Sequence, residues 1–213
     1  MSFIIAIDGP AAAGKGTLAK RVAAHYAYAY LDTGSLYRAV GVAVTAQGLP
    51  ASDEPAAVRA AQSLDATKIA AKAIRTAEAG EAASVVAVMP AVRAAILQFQ
   101  RDFATNPPNG AKGAVLDGRD IGTVVCPEAD VKIFVTASAE IRANRRFLEL
   151  KTSGSAISEA QVLEDTQERD RRDAERALSP MRPAEDAHLL DTSNLSIEAA
   201  FGEAVRIIDK SMR

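Results

Sequence analysis

The sequence predicts an α/β protein, a doubly wound parallel sheet with a helical insert and a lid, and three observations predict it. Short apolar runs of strand length alternate with helical patterns along the 213 residues, as in parallel strands covered by helices on both faces. The first run, Phe3-Ile4-Ile5-Ala6-Ile7, leads straight into the glycine-rich stretch Gly9-Pro10-Ala11-Ala12-Ala13-Gly14-Lys15-Gly16-Thr17 and then into a helical pattern. Two segments, 48–105 and 151–183, break the alternation and read as an insert and a lid over the rim of the sheet. The expected organisation is a single domain, 1–213, with its core in 1–47, 106–150 and 184–213.

Phe3–Ile7 is continuously apolar, as befits a strand buried on both faces. In the loop that follows, the glycines let the backbone turn its N–H groups inward at phosphate oxygens. The helix expected over Lys15–Ala27 presents its positive end to the same place, and Lys15 adds a mobile cation. Residues 9–17 are therefore the expected seat of a nucleoside triphosphate. The common spelling of this loop places a metal-binding hydroxyl directly after the lysine. Here Gly16 stands there, and the hydroxyl comes one place later at Thr17. Mg²⁺ is then expected to be held mainly by phosphates and water, with Thr17 the side chain open to contributing and no residue assigned as a metal ligand.

Tyr28–Leu31 is a weaker strand, followed by Asp32-Thr33-Gly34-Ser35-Leu36-Tyr37-Arg38. Gly34 allows a turn, and Ser35 is expected to cap a helix over Ser35–Ala46. Arg38 then falls on the first turn, either as a phosphate clamp or as an ordinary surface arginine. Residues 53–105 read as consecutive helices, opened by Asp53 and Pro55 and broken at Pro90. The strand Ala114–Leu116 stops at Asp117-Gly118-Arg119-Asp120, where two carboxylates and a guanidinium converge. Beside a phosphate loop, such a strand end is expected to support Mg²⁺ or its waters.

Val131–Val135 is the next strand, and Ala139–Leu150 the next helix, carrying Arg142, Arg145 and Arg146. The lid opens with Thr152-Ser153-Gly154-Ser155, and a helix starts at Ser158 with Gln161 completing a capping box. At helical spacing Asp165, Arg169, Arg172, Asp173 and Arg176 share one face. A mixed-charge run usually reads as a solvated, ion-paired helix. Its place on a lid and the need of phosphoryl transfer for mobile cations favour a working role. The strand His188–Leu190 and the helix Ile197–Ser211 close the pattern.

Composition excludes several classes. A net charge of −2 argues against a nucleic-acid binder held by bulk charge. The one cysteine, Cys126, precludes an internal disulfide and suits a reducing cytoplasm. No leader pattern is visible and no apolar stretch reaches the ~18 residues a membrane span needs, so no membrane association is expected. Neither His25 nor His188 has metal-ligand neighbours, and no Ser-His-Asp or Cys-His arrangement is readable.

Taken together these residues resemble the cytidylate kinases, a branch of the nucleoside monophosphate kinases. The resemblance is carried by Ile7–Thr17, Leu31–Arg38, Ile74–Thr76, the pair Ser84 and Arg93, Leu116–Val125, Val131–Ser138 and Glu168–Pro180, in order over nearly the whole chain. It implies that Gly9, Pro10, Ala11, Ala12, Ala13, Gly14, Lys15, Gly16 and Thr17 bind ATP, and that the acceptor is CMP or dCMP. Thr33 joins the acceptor site, Arg38, Arg119 and Arg176 hold the acceptor's phosphate, Ser84, Arg93 and Asp120 read the cytosine, and Asp173 holds the ribose. Lys15, Arg169 and Arg172 steady the transferring group, with Arg119 and Arg176 also counted in the catalytic set. It further implies a cytoplasmic monomer. The family's insert carries a small antiparallel sheet before Ile74, and most of it is missing here, where only Ala66–Ala73 separates Asp65 from Ile74. A kinase for another monophosphate such as UMP, and a nucleotide-dependent switch, are the alternatives.

Overall fold

The computed structural model describes residues 2–65, 69, 73–74, 76–152 and 156–212. The shortened insert expected at 66–73 therefore lies largely outside the described residues, as do 153–155 of the lid's entry. The chain divides into two compact units, 1–31 with 104–213, and 32–103.

The first unit is built on a five-stranded sheet, β1 (Phe3–Asp8), β2 (Ala29–Asp32), β3 (Gly113–Gly118), β4 (Val131–Thr136) and β5 (His188–Asp191), in the order β2-β3-β1-β4-β5. β1 pairs in parallel with β3 and β4, and β4 with β5. This is the doubly wound architecture expected, with the order reversing around β1, where ligands of such sheets bind. β3 runs beyond the apolar Ala114–Leu116 because its pairing with β1 holds register from Phe3↔Gly113 to Asp8↔Gly118. Backbone pairing, not side-chain polarity, decides where that strand ends.

The helices of this unit are α1 (Lys15–Tyr26), α6 (Ala139–Thr152), α7 (Glu159–Glu175) and α8 (Ile197–Ser211). Ile5, Ile7, Val115, Ile133 and Val135 of the sheet bury themselves against Leu18 and Val22 of α1 and Ile207 and Ile208 of α8. Each such aliphatic side chain contributes about 1.5–3 kcal/mol. α1 ends one residue earlier than expected, at Tyr26, because Ala27 turns left-handed (φ 53°) and closes the helix with its own N–H.

The second unit is helical. It holds α2 (Thr33–Thr45), α3 (Glu54–Gln62), α4 (Ala77–Val86) and most of α5 (Pro90–Thr105). The unit begins at residue 32 because Leu36, Val40 and Val44 of α2 share a core with Val86, Val92 and Ile96. Asp53 caps α3 by accepting from Ala56 N at 2.9 Å, with Pro55 in its first turn, as expected. Among the described residues no single helix is long and apolar enough to cross a membrane.

Where β1 leaves the sheet, Gly9 adopts φ 146°, and a Cβ there would lie 1.9 Å from the Val135 carbonyl oxygen. Gly9→Ala should therefore destabilise the protein by about 3 kcal/mol or more, read as a lowered urea midpoint.

Candidate functional site

The phosphate loop follows β1 with Ala12 at φ 58° and Gly14 at φ 87°, both left-handed. Gly14 is the N-cap of α1 and supplies no side-chain cap, so the first N–H groups of the helix face whatever the loop holds. The loop's carbonyls are tied elsewhere. Lys15 Nζ donates to Pro10 O at 3.3 Å, Arg142 Nη1 to Ala11 O at 3.3 Å, and the Thr192 hydroxyl to Ala13 O at 3.0 Å. Arg145 holds Thr192 in turn, through Nη1 to Oγ1 at 3.1 Å and Nη2 to the carbonyl at 2.7 Å. A cavity of about 630 Å³ opens between residues 12–17 of the loop and a wall that includes Arg145, Leu148, Leu195 and Ile197.

Arg142 is committed to the protein itself. Its side chain is 6% exposed and forks onto Asp170 of α7, while Nε donates to Ala137 O at 2.9 Å. Arg146 pairs with Glu149 at the surface.

Two buried carboxylates flank the loop. Asp8 accepts from Ile121 N at 2.8 Å and Gly122 N at 2.7 Å. Burial nevertheless pushes its carboxyl up to about 6, overcoming those two donors. Asp117 accepts from Tyr30 Oη at 3.0 Å, and its Oδ2 would lie 3.2 Å from a Cβ at Gly16. Any side chain at residue 16 would crowd that carboxylate. Among the described residues no group of three His, Cys, Asp or Glu side chains could hold a metal. A carboxylate oxygen such as that of Asp117, beside Gly16 of the loop, is the donor type that a hard, hydrated cation such as Mg²⁺ takes.

At the end of β3, α7 and the residue after it come in. Arg119 Nε donates to Asp173 Oδ2 at 2.9 Å. Arg176 Nη2 lies 3.9 Å from Asp120 Oδ1, with both side chains over nine-tenths buried, and its Nε donates to Ser179 O. Burial alone would raise the Asp173 carboxyl, but Arg119, Arg169 and Arg176 together hold it below the ordinary range. The expected single helical face is corrected in two places. α7 ends at Glu175 and Arg176 is extended (ψ 138°), so it reaches Asp120 from beyond the helix, and Asp165 is exposed. Ser158 caps α7 through Gln161 N at 3.2 Å, but the Gln161 side chain turns to Glu164 and Asp165 instead of completing the capping box.

The helical unit carries the remaining expected residues. Asp32, not Ser35, caps α2, its carboxylate accepting from Ser35 N at 3.1 Å. The helix consequently starts at Thr33, which is buried, and Arg38 falls on its second turn, donating to Ile74 O at 3.2 Å. Ser84 of α4 is buried and its hydroxyl has no hydrogen-bond partner among the described residues. Arg93 of α5 donates to Ala87 O at 3.2 Å and lies over the Tyr37 ring at 5.5 Å. Asp8, Tyr30, Asp170 and Thr192 escaped the sequence reading. Asp8, directly before the loop, and Asp170, inside the run Glu168–Pro180, each had a signal in a quoted motif.

A family model described as cytidylate kinase matches residues 5–210. The cytidylate kinase of Rhodospirillum rubrum is 58% identical over 206 residues, covering 97% of each chain. That of Rhodopseudomonas palustris is 58% identical over 207 residues, covering 97% of this chain and 96% of its own. Among solved structures, a sugar kinase from Janibacter sp. HTCC2649 superposes with a TM-score of 0.50 at 13% identity, over 98% of this chain and 95% of that one, a likeness of fold.

A carboxyl raised from 3.8 to about 6 in the folded state favours folding in its protonated form. Its contribution is complete below about pH 4 and lost as pH rises through 6. The unfolding free energy of wild type relative to Asp8→Asn should thus fall by about 3 kcal/mol between about pH 4 and pH 7, measured by urea denaturation. Arg142→Ala, which strands Asp170 and releases Ala11 O, should cost about 2–4 kcal/mol in the same experiment.

Proposed function

This chain belongs to the cytidylate kinase family, and on that footing we propose that it transfers the γ-phosphoryl group of ATP to the 5′-phosphate of CMP and dCMP. The observation that carries the reading is the convergence of Arg119 and Asp120 at the end of β3 with Asp173 and Arg176 of the lid.

The nucleophile is an anionic phosphate oxygen, so the reaction needs no strong general base. Positioning and charge neutralisation do the catalysis. In the proposed assignment the amides of residues 9–17 hold the donor's phosphates, while Lys15, Arg169 and Arg172 steady the moving group. Mg²⁺, kept hydrated beside Asp117 and Thr17, supplies further neutralisation when bound. Arg38, Arg119 and Arg176 take the acceptor's phosphate, Thr33 lies in the acceptor set, and Asp173 takes the ribose.

Ser84, Arg93 and Asp120 are assigned the cytosine. A carboxylate accepts from the 4-amino group of cytosine and repels the 4-carbonyl of uracil. A mismatched buried polar contact costs about 1–3 kcal/mol, or about 5- to 150-fold in preference. The Ser84 hydroxyl, buried with no hydrogen-bond partner among the described residues, supports its place as a ligand contact. Lid closure would exclude water and limit wasteful hydrolysis of ATP. Action as a monomer in the cytoplasm belongs to the same reading.

A coupled assay of ADP release with ATP and Mg²⁺, offering CMP, dCMP, UMP and AMP separately, tests it. Fast turnover of CMP and dCMP, slower turnover of UMP and negligible turnover of AMP are expected. A flat profile or a preference for another acceptor overturns the assignment. Arg119→Ala should lower kcat/KM for CMP about 10³-fold or more with the fold intact by circular dichroism.

A further inference from the structure

Asp8 has no part in the chemistry described so far, yet it holds the segment that carries two of the acceptor residues. Ile121–Val125 forms a single turn of π-helix, a conformation that concentrates at functional sites. Its N-cap, Asp120, is non-helical (φ −146°, ψ 25°) and offers the turn no side-chain cap. The amides that open such a turn need acceptors. The Asp8 carboxylate supplies both, one oxygen to Ile121 N at 2.8 Å and the other to Gly122 N at 2.7 Å.

Arg119 and Asp120 are thereby suspended between two fixed points. On one side is Gly118, in register with Asp8 across the β1–β3 ladder. On the other are the two amides bound by the Asp8 side chain. The turn then closes on itself, with Val124 N donating to Asp120 O at 2.9 Å and Cys126 N to Ile121 O at 2.7 Å. Asp8 is also the last residue of β1, directly before Gly9 of the phosphate loop. One carboxylate therefore references the residues assigned to the acceptor to the strand that ends in the donor loop.

We propose that Asp8 is a positioning residue for the acceptor. Through the amides of Ile121 and Gly122 it sets Arg119 and Asp120, and so governs acceptor affinity and base selectivity while touching neither substrate. This rests on the reading that Arg119 and Asp120 contact the acceptor. Asparagine at this place keeps the size but points an N–H₂ group at one of the two amides, so the turn loses one of its anchors. At Gly122 a Cβ would stand 3.1 Å from Lys132 Cδ and 3.5 Å from Asp8 Oδ2, the latter an ordinary contact, so the two further methyls of valine are what crowd the turn beside Asp8, without removing a charge.

The test is steady-state kinetics of wild type, Asp8→Asn and Gly122→Val. CMP and UMP are varied at saturating ATP, then ATP at saturating CMP, with folding checked by circular dichroism. In Asp8→Asn, KM for CMP should rise about tenfold or more, the loss expected for a hydrogen bond to a charged group. The preference for CMP over UMP should shrink about fivefold or more, while KM for ATP stays within about threefold. Gly122→Val should show the same split, and it decides the matter if Asp8→Asn does not fold. A uniform rise in both KM values, or unchanged KM for CMP in a folded variant, overturns the role of Asp8 alone. A wild type that does not prefer CMP overturns the cytidylate kinase reading, and the role of Asp8 with it.

Discussion

The approach of β1 to β4 at Gly9 is the contact on which the site depends. A side chain there would stand 1.9 Å from the Val135 carbonyl, and the backbone takes φ 146°, which residues with a side chain rarely adopt. With both conditions met, the chain turns out of the sheet within one residue of the last β1 ladder position. The loop then starts at the carboxyl end of the central strand and runs directly into α1. Because β1 lies parallel to both β3 and β4, Asp8 pairs with Gly118 on one side and Phe134 on the other. The loop and the acidic end of β3 consequently meet along one rim.

That rim concentrates charge where charge is expensive. Asp8, Asp117, Asp120, Asp173 and Arg142 are all buried. A buried charge is tolerated when it is paired and hydrogen-bonded. Asp8 has two backbone amides, Asp117 a tyrosine hydroxyl, Arg119 and Asp173 each other, and Arg142 a fork onto Asp170 with two carbonyls besides. The raised carboxyl of Asp8 shows that compensation is incomplete there. Such a cluster costs stability, and what it gains is a set of guanidiniums and amides held in fixed orientations.

The helical unit solves a different problem. Its core of Leu36, Val40, Val44, Val86, Val92 and Ile96 fixes the helices that carry Thr33, Arg38, Ser84 and Arg93. Arg38 and Arg93 are steadied by main-chain carbonyls at Ile74 and Ala87. Each contact holds part of a planar donor fork in a defined place.

Local signals made most of this legible in the sequence. The apolar runs located all five strands, and Asp53, Ser158 and Pro90 marked helix boundaries, because strand burial, caps and proline act within a few residues. The phosphate loop was readable because its glycines, lysine and flanking elements are contiguous. The lid arginines were readable as a group from their density. Tertiary structure decided how those charges pair. It sent Arg142 to brace the loop and Asp170, brought Arg176 to Asp120 from beyond the end of α7, and made Asp32 the cap of α2 in place of Ser35. It also gave Asp8 its partners 113 and 114 residues away. Sequence specifies a residue's own conformational preference and charge. Which partner that charge meets is settled only when the sheet order sets distant strand ends side by side.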